Sequence, residues 1–277
     1  MQRKKLIMEH ALELFAEQVF NATSVQEITE HCGISKGAFY LSFKSKHELI
    51  YALIDQFMME HTTKLDHLVN SSSNDEQHLL FKFYLASYEF FKDHANFAKF
   101  FTKEIQTFDD ELLDKLSYYD RLQEKMIISM IERIYGEAVG FSKYDLLFCI
   151  KAFMGMYVEL IIYRNIPLDI ERLAHSLVEK TILLAEQMQT PLITHHHAQF
   201  LKIDRNKAST KDMLLPLLEE KIATVETSIE KESLVLLIEH IKENHLPNAV
   251  VKGLIENIRK HQTNQWIAFL LTDFLDI

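Results

Sequence analysis

An all-α fold is what this 277-residue sequence predicts, and three observations carry the prediction. Only six Gly and four Pro occur, and no Pro precedes Pro167, so the strongest helix breakers are nearly missing from the first half of the chain. Leu, Ile, Phe, Glu and Lys dominate and recur at helical intervals. Two Ser…Glu capping boxes, Ser24…Glu27 and Ser45…Glu48, mark helix starts in the first fifty residues.

The elements follow in order. Ile7, Ala11, Leu14 and Phe15 give an amphipathic first helix over 3–18. Ser24 opens a second helix with Val25, Ile28 and Cys32 as its inner stripe. Gly33 then stands where the backbone must turn through a left-handed conformation. Ser35 caps a short third helix running through Tyr40. Ser45 begins a fourth that carries Leu49, Ile50, Leu53, Ile54 and Phe57. Asn70 to Asp75 reads as a linker. Leu79 to Phe91 is apolar around almost its whole circumference, which predicts a helix buried on all sides. An aromatic segment from Phe97 to Phe108 precedes a long amphipathic stretch, Glu111 to Tyr135, and Gly136 and Gly140 mark the next break. Helices at about 142–165 and 169–189 flank Asn165-Ile166-Pro167. Beyond a polar stretch opened by Pro191, four more helices are predicted at about 212–225, 229–244, 247–260 (Pro247 in the first turn) and 264–276.

Composition narrows the class of protein. Hydrophobic residues at 48% and charged residues at 25% are ordinary for a soluble globular chain with a real core. Cys32 and Cys149 lie far apart without metal-ligand spacing, as expected of thiols in a reducing compartment. No apolar stretch follows the basic start, and the most apolar run, Leu146 to Tyr163, contains Lys151 and Glu159. The expectation is a cytoplasmic protein with no membrane partner. The net charge of −10 lies wholly beyond residue 50: Arg3, Lys4, Lys5, Lys36, Lys44 and Lys46 balance Glu9, Glu13, Glu17, Glu27, Glu30 and Glu48. Screening over about 8 Å keeps a distant acidic body from repelling a polyanion at the N-terminal end.

Two helices joined by a glycine-containing turn form a helix-turn-helix, whose second helix enters the major groove of DNA. Here the unit is Ser24–Tyr40. Small residues at Ser35, Gly37 and Ala38 let the backbone approach a duplex closely. Lys36 can reach base edges or phosphate, and Tyr40 offers a hydroxyl to a phosphate. Lys46 adds a positive charge at the start of the fourth helix. Phe39 and Phe43 read as inner anchors.

The run Thr23-Ser24-Val25-Gln26-Glu27-Ile28…Cys32-Gly33-Ile34-Ser35-Lys36-Gly37-Ala38-Phe39-Tyr40…Phe43-Lys44-Ser45-Lys46…Glu48-Leu49 resembles the N-terminal signature of the TetR/AcrR family of transcriptional regulators. The resemblance covers residues 3–50 and implies DNA contacts at Ser24, Ser35, Lys36, Gly37, Tyr40 and Lys46. Three positions depart from it: Val19 replaces a glycine, Thr29 an alanine, and Ser42 an aromatic residue or His that often contacts phosphate. The resemblance further implies a helical body that holds a small-molecule effector and dimerises through its last two helices.

The expected organisation is an N-terminal three-helix DNA-binding domain (1–48), a large helical effector-binding and dimerisation domain (49–190) and a helical C-terminal extension of unassigned role (191–277). Candidate pocket residues are Tyr84, Tyr88, Phe101, Tyr119, Met126, Phe153 and Tyr157, suited to a lipophilic or aromatic effector. Glu89 and Glu159 would suit a cation, Arg121 and Arg164 an anion; the residues leave this open. Dimer stripes are expected from Leu146, Ile150, Phe153, Tyr157 and Ile161 with Leu173, Leu177, Leu184 and Met188, with Gly155 allowing close helix approach. Two recognition helices need a two-fold axis to sit about 34–36 Å apart on one face of DNA. The adjacent His195, His196 and His197 point in different directions and form no ligand set, and no catalytic constellation or phosphate-binding glycine loop stands out. No metal, cofactor or enzymatic activity is therefore expected. The expected partners are a double-stranded operator, a second copy of the chain and a small effector. The expected function is repression relieved by that effector. The rival readings are a protein-interaction module recruiting a partner through 191–277, and a helical enzyme or carrier with a vestigial helix-turn-helix.

Overall fold

The structure, a computed structural model, describes the chain except Met1, Val19, residues 71–75, 106–107, Tyr163, Asn165, residues 194–196, 198–209 and 226–228, and Asp276. Among the described residues every regular element is helical. The chain divides into two compact units, Met1–His195 and His196–Ile277.

The first unit holds α1 (Gln2–Glu17), α2 (Val25–His31), α3 (Lys36–Tyr40), α4 (Lys46–Asn70), α5 (Glu76–Asp93), α6 (Ala95–Glu104), α7 (Asp110–Tyr135), α8 (Lys143–Ile162) and α9 (Ile170–Gln187). Side-chain caps set several of these starts. The Asp109 carboxylate accepts from the Leu112 N–H at 3.0 Å, and Asp169 does the same for Arg172 at 3.1 Å. Helix α5 is the central post and packs against α4, α6, α7, α8 and α9, which explains why apolar residues surround it. The long α4 is tied to α7 at several levels. Tyr51 donates to Asp109 at 2.8 Å, Tyr119 donates to Asp55 at 3.0 Å, Lys115 pairs with Asp55, and Arg133 donates to the Val69 carbonyl at 2.7 Å.

Residues 1–48 and 49–190, read from sequence as separate domains, share this unit. The reason is a common apolar core: Ile7, Ala11, Phe15, Ile28, Phe39 and Phe43 are continuous with Leu53, Phe57, Phe97 and Phe100. The Phe15 and Phe100 rings lie 5.5 Å apart, joining α1 to α6. The Phe20 N–H donates to the buried Glu104 carboxylate at 3.2 Å, so α6 also holds the loop that precedes α2.

The second unit holds α10 (Lys211–Thr224), α11 (Ile229–Glu243), α12 (Asn248–Arg259) and α13 (Gln265–Leu275), all within a residue or two of their predicted places. Leu214, Leu218, Leu234, Leu237, Val251, Ile255, Ile258 and Leu271 close a core of their own. Pro247 is the N-cap of α12, not a first-turn residue, with its φ of −65° leading the chain into the helix. His195 and His196, like the linker residues 71–75, lie outside the described residues.

Candidate nucleic-acid interface and body cavity

The helix-turn-helix is built locally and then clamped. At the start of α2 the Glu27 N–H donates to Ser24 Oγ at 3.1 Å and the Ser24 N–H donates to Glu27 Oε2 at 2.6 Å, the reciprocal capping box. These bonds from the Ser24 backbone and hydroxyl hold the Glu27 carboxyl below its usual range. Gly33 has φ +66°, the left-handed turn expected of it. Ser35 Oγ accepts from the Ala38 N–H at 3.2 Å and starts α3. The second predicted box closes differently. Ser45 Oγ accepts from the Glu48 N–H at 3.0 Å, but the Glu48 carboxylate bonds the Lys44 N–H at 2.6 Å, one residue earlier than the motif specifies.

Phe39 and Phe43 are buried, and their rings anchor α3 to the core. That leaves Ser35, Lys36, Gly37 and Tyr40 on the outer face, with Tyr40 54% exposed and Ala38 half-buried between them. Ser24 is exposed at the start of α2. Lys36 Nζ donates to Gln26 Oε1 at 3.1 Å, a bridge from α3 to α2 that holds the charge on the outer face. Leu41, 82% exposed at the end of α3, was missed by sequence reasoning, since nothing distinguishes it from a core leucine by spacing alone.

Lys46 sits elsewhere in the design. Its ammonium donates to the Phe20 and Thr23 carbonyls, each at 2.7 Å, and lies 4.0 Å over the Phe20 ring. Burial draws its pKa below the ordinary lysine value despite the nearby Glu27 and Glu104 carboxylates. The residue expected to touch DNA is thus also an internal clamp on the loop between α1 and α2.

In the body a cavity of about 720 Å³ opens among α4, α5, α6, α7 and α8. Its walls are mainly apolar: Met58, Phe91, Phe97, Phe101, Ile105, Leu113, Leu116, Met154 and Val158. Of the seven residues expected to line a pocket, Phe101 does. Tyr84, Tyr88, Tyr119 and Met126 are instead buried in the core. The Tyr84 hydroxyl bonds Thr181 at 2.8 Å, Tyr88 donates to the Phe153 carbonyl at 2.9 Å, and Tyr119 is held by Asp55. Phe153 and Tyr157 are half-buried on α8 and lie outside the cavity wall.

The polar groups at the cavity are His61, Ser117, Asp120, Gln123 and Lys151. Burial pushes the His61 imidazole down to about 3, so it is neutral at physiological pH. Its Nε2 has no hydrogen-bond partner among the described residues. Lys151 donates to Asp120 at 2.9 Å and to Glu124 at 2.6 Å. Burial opposes its charge, but the two carboxylates outweigh that and raise its pKa.

The predicted dimer stripes are partly turned inward: Leu146, Ile150, Leu173 and Leu177 are buried within the chain. The apolar side chains that α8 and α9 expose are Met156, Ile182 and Leu183. Among the described residues no helix is long and apolar enough to cross a membrane.

Comparison with known proteins agrees with this geometry. Residues 7–53 match the family model described as bacterial regulatory proteins, tetR family. The HTH-type transcriptional regulator YuxN of Bacillus subtilis is 27% identical over 273 residues, 94% of this chain and 93% of its own length, so the similarity extends through the second unit. The HTH-type transcriptional repressor KstR2 of Mycobacterium tuberculosis is 27% identical over 147 residues, 52% of this chain and 71% of its own. The crystal structure of the TetR family regulator PfmR from Thermus thermophilus superposes with a TM-score of 0.54 at 20% identity, covering 66% of this chain and 99% of its own. The family motif, the glycine-hinged helix pair and these likenesses converge on one conclusion: the chain carries the N-terminal helix-turn-helix of the tetR family and is similar along most of its length to HTH-type transcriptional regulators.

Proposed function

We propose that the chain is a homodimeric, cytoplasmic repressor that binds a pseudo-palindromic operator and is released by a neutral lipophilic effector. Ser24, Ser35, Lys36, Gly37, Ala38 and Tyr40 meet the duplex. Lys36 reads a base edge or phosphate, Tyr40 donates to a phosphate, and the small residues allow close approach. Lys46 serves mainly by holding the loop before α2. Similarity to a named repressor supports the sign of regulation.

The observation that carries the ligand response is the position of α6. Phe97, Phe101 and Ile105 at this helix face the cavity, while Phe100 meets Phe15 of α1 and Glu104 holds the Phe20 N–H. A ligand that displaces α6 therefore pulls directly on the helix-turn-helix, and α4, which carries Met58 and His61 into the same cavity, supplies a second lever. Coupling of about 1–3 kcal/mol would change operator affinity 5–150-fold. The apolar wall favours a lipophilic body, and the unpartnered neutral His61 suits a hydroxyl or carbonyl oxygen. Lys151, already satisfied by its carboxylates, leaves no free cation for an acid among the described wall residues. Exposed Met156, Ile182 and Leu183 on α8 and α9 are apolar surface for the second copy.

The test is selection of bound fragments from genomic DNA by the purified protein, then titration of the bound fragment with neutral lipophilic compounds. Release by a subset, lost in Phe101→Trp while DNA binding persists, is the expected result. Operator affinity unchanged by every compound sinks the ligand-response reading.

A further inference from the structure

Outside the interface and the cavity, three potential ligand atoms converge on the α1–α2 junction. His10 and Glu13 are one turn apart on α1, and His31 is the last residue of α2. His10 Nδ1 lies 3.3 Å from Glu13 Oε2, His31 Nδ1 lies 3.2 Å from His10 Nδ1, and His31 Nδ1 lies 3.9 Å from the same Glu13 oxygen. The nearest point equidistant from these three atoms, in their own plane, is about 2.0 Å from each, within the roughly 2.0–2.2 Å of zinc–imidazole and zinc–carboxylate bonds. A single proton cannot satisfy all three edges. If His10 Nδ1 carries it, no lone pair is left there for His31; if it does not, that lone pair faces the Glu13 carboxylate. One cation between the three can take a lone pair from each of these atoms at once.

We propose that His10, Glu13 and His31 form a three-ligand site for a divalent transition-metal ion of the zinc class, with the fourth coordination position open to solvent. His and carboxylate ligands suit zinc, and the two exposed residues, Glu13 and His31, leave a side for water. The C-terminal end of α2 adds the negative pole of a helix dipole beside the cation. The consequence is mechanical. His31 immediately precedes Cys32 and Gly33, the turn into α3, so the ion would pin the hinge of the recognition helix to α1. Sequence spacing conceals the set because its members sit on two helices, with His31 21 residues beyond His10, and it forms none of the usual ligand motifs.

The experiment titrates Zn²⁺ into metal-stripped full-length protein in which His195, His196 and His197 are replaced by alanine, so that the run cannot compete. The expected result is one zinc per chain, a visible Co²⁺ absorption typical of few-coordinate sites, and a rise of several degrees in the unfolding midpoint. His10→Ala, His31→Ala and Glu13→Gln should each weaken binding at least tenfold, whereas His67→Ala, an exposed histidine on α4, should not. Glu13→Gln preserves size and helix propensity, so it reports on the ligand even if a histidine variant misfolds. No zinc uptake by the parent, or equal uptake by parent and Glu13→Gln, overturns the proposal.

Discussion

Replacing Lys46 with alanine separates two roles that one side chain could have. Its ammonium donates two charge-assisted hydrogen bonds of 2.7 Å, to the Phe20 and Thr23 carbonyls, and covers the Phe20 ring at 4.0 Å. Bonds to a charged donor are worth about 1.5–3 kcal/mol each when buried, and the cation–π contact about 0.5–1 kcal/mol. Lys46 is only half-buried, so water recovers part of this, and the expected loss is about 2–3 kcal/mol. In a unit of this size that lowers the unfolding midpoint by roughly 5–10 °C. Urea and thermal unfolding of the full chain, followed by circular dichroism, measure it. Lys46→Met, which keeps the aliphatic stem, should show most of the same loss. Operator affinity should fall with stability while its dependence on salt stays nearly unchanged. If Lys46→Ala instead leaves stability within about 0.5 kcal/mol and reduces the salt slope by about 0.9, the side chain is a phosphate contact and the clamp argument is wrong.

Lys36→Ala should do the opposite of Lys46→Ala. It loses an exposed bridge to Gln26, so stability holds within about 0.5 kcal/mol, while operator affinity falls roughly tenfold or more in fluorescence anisotropy titrations. Gly33→Ala should cost about 1–2 kcal/mol, because φ is +66° yet nothing lies within 4 Å of the added Cβ; Gly33→Asn should recover part of that in the same unfolding assay. His61 makes folding pH-dependent. Its folded pKa is depressed to about 3 from 6.5, so the unfolded chain takes up the proton first. Its contribution is intact above pH 6.5 and is lost as pH falls toward 3, at up to about 1.4 kcal/mol per pH unit. Stability measured between pH 7.5 and 5 should therefore fall less steeply in His61→Met than in the parent.

Most of the helices were legible because their signals are local. Scarce Gly and Pro leave long uninterrupted periods, and Ser24, Ser35 and Ser45 cap helices at the positions their sequence context predicts. The outer face of α3 was legible for the same reason, since Phe39 and Phe43 declare the inner face. The cavity was not. On a helix as uniformly aromatic as α5, periodicity cannot tell a wall from a core position. The partners that fix Tyr84 and Tyr88 lie 97 and 65 residues away. The clamp by Lys46 likewise depends on carbonyls 26 and 23 residues earlier, which only the folded chain brings within reach.

Hydroxyl-radical footprinting on a fragment selected from genomic DNA tests the central claim, that a pair of α3 helices reads one duplex. The account predicts two protected patches on one face of the DNA, centred about one helical turn apart, with protection lost in Lys36→Ala. A single patch, protection around the whole duplex without sequence preference, or an unchanged footprint in Lys36→Ala would contradict it.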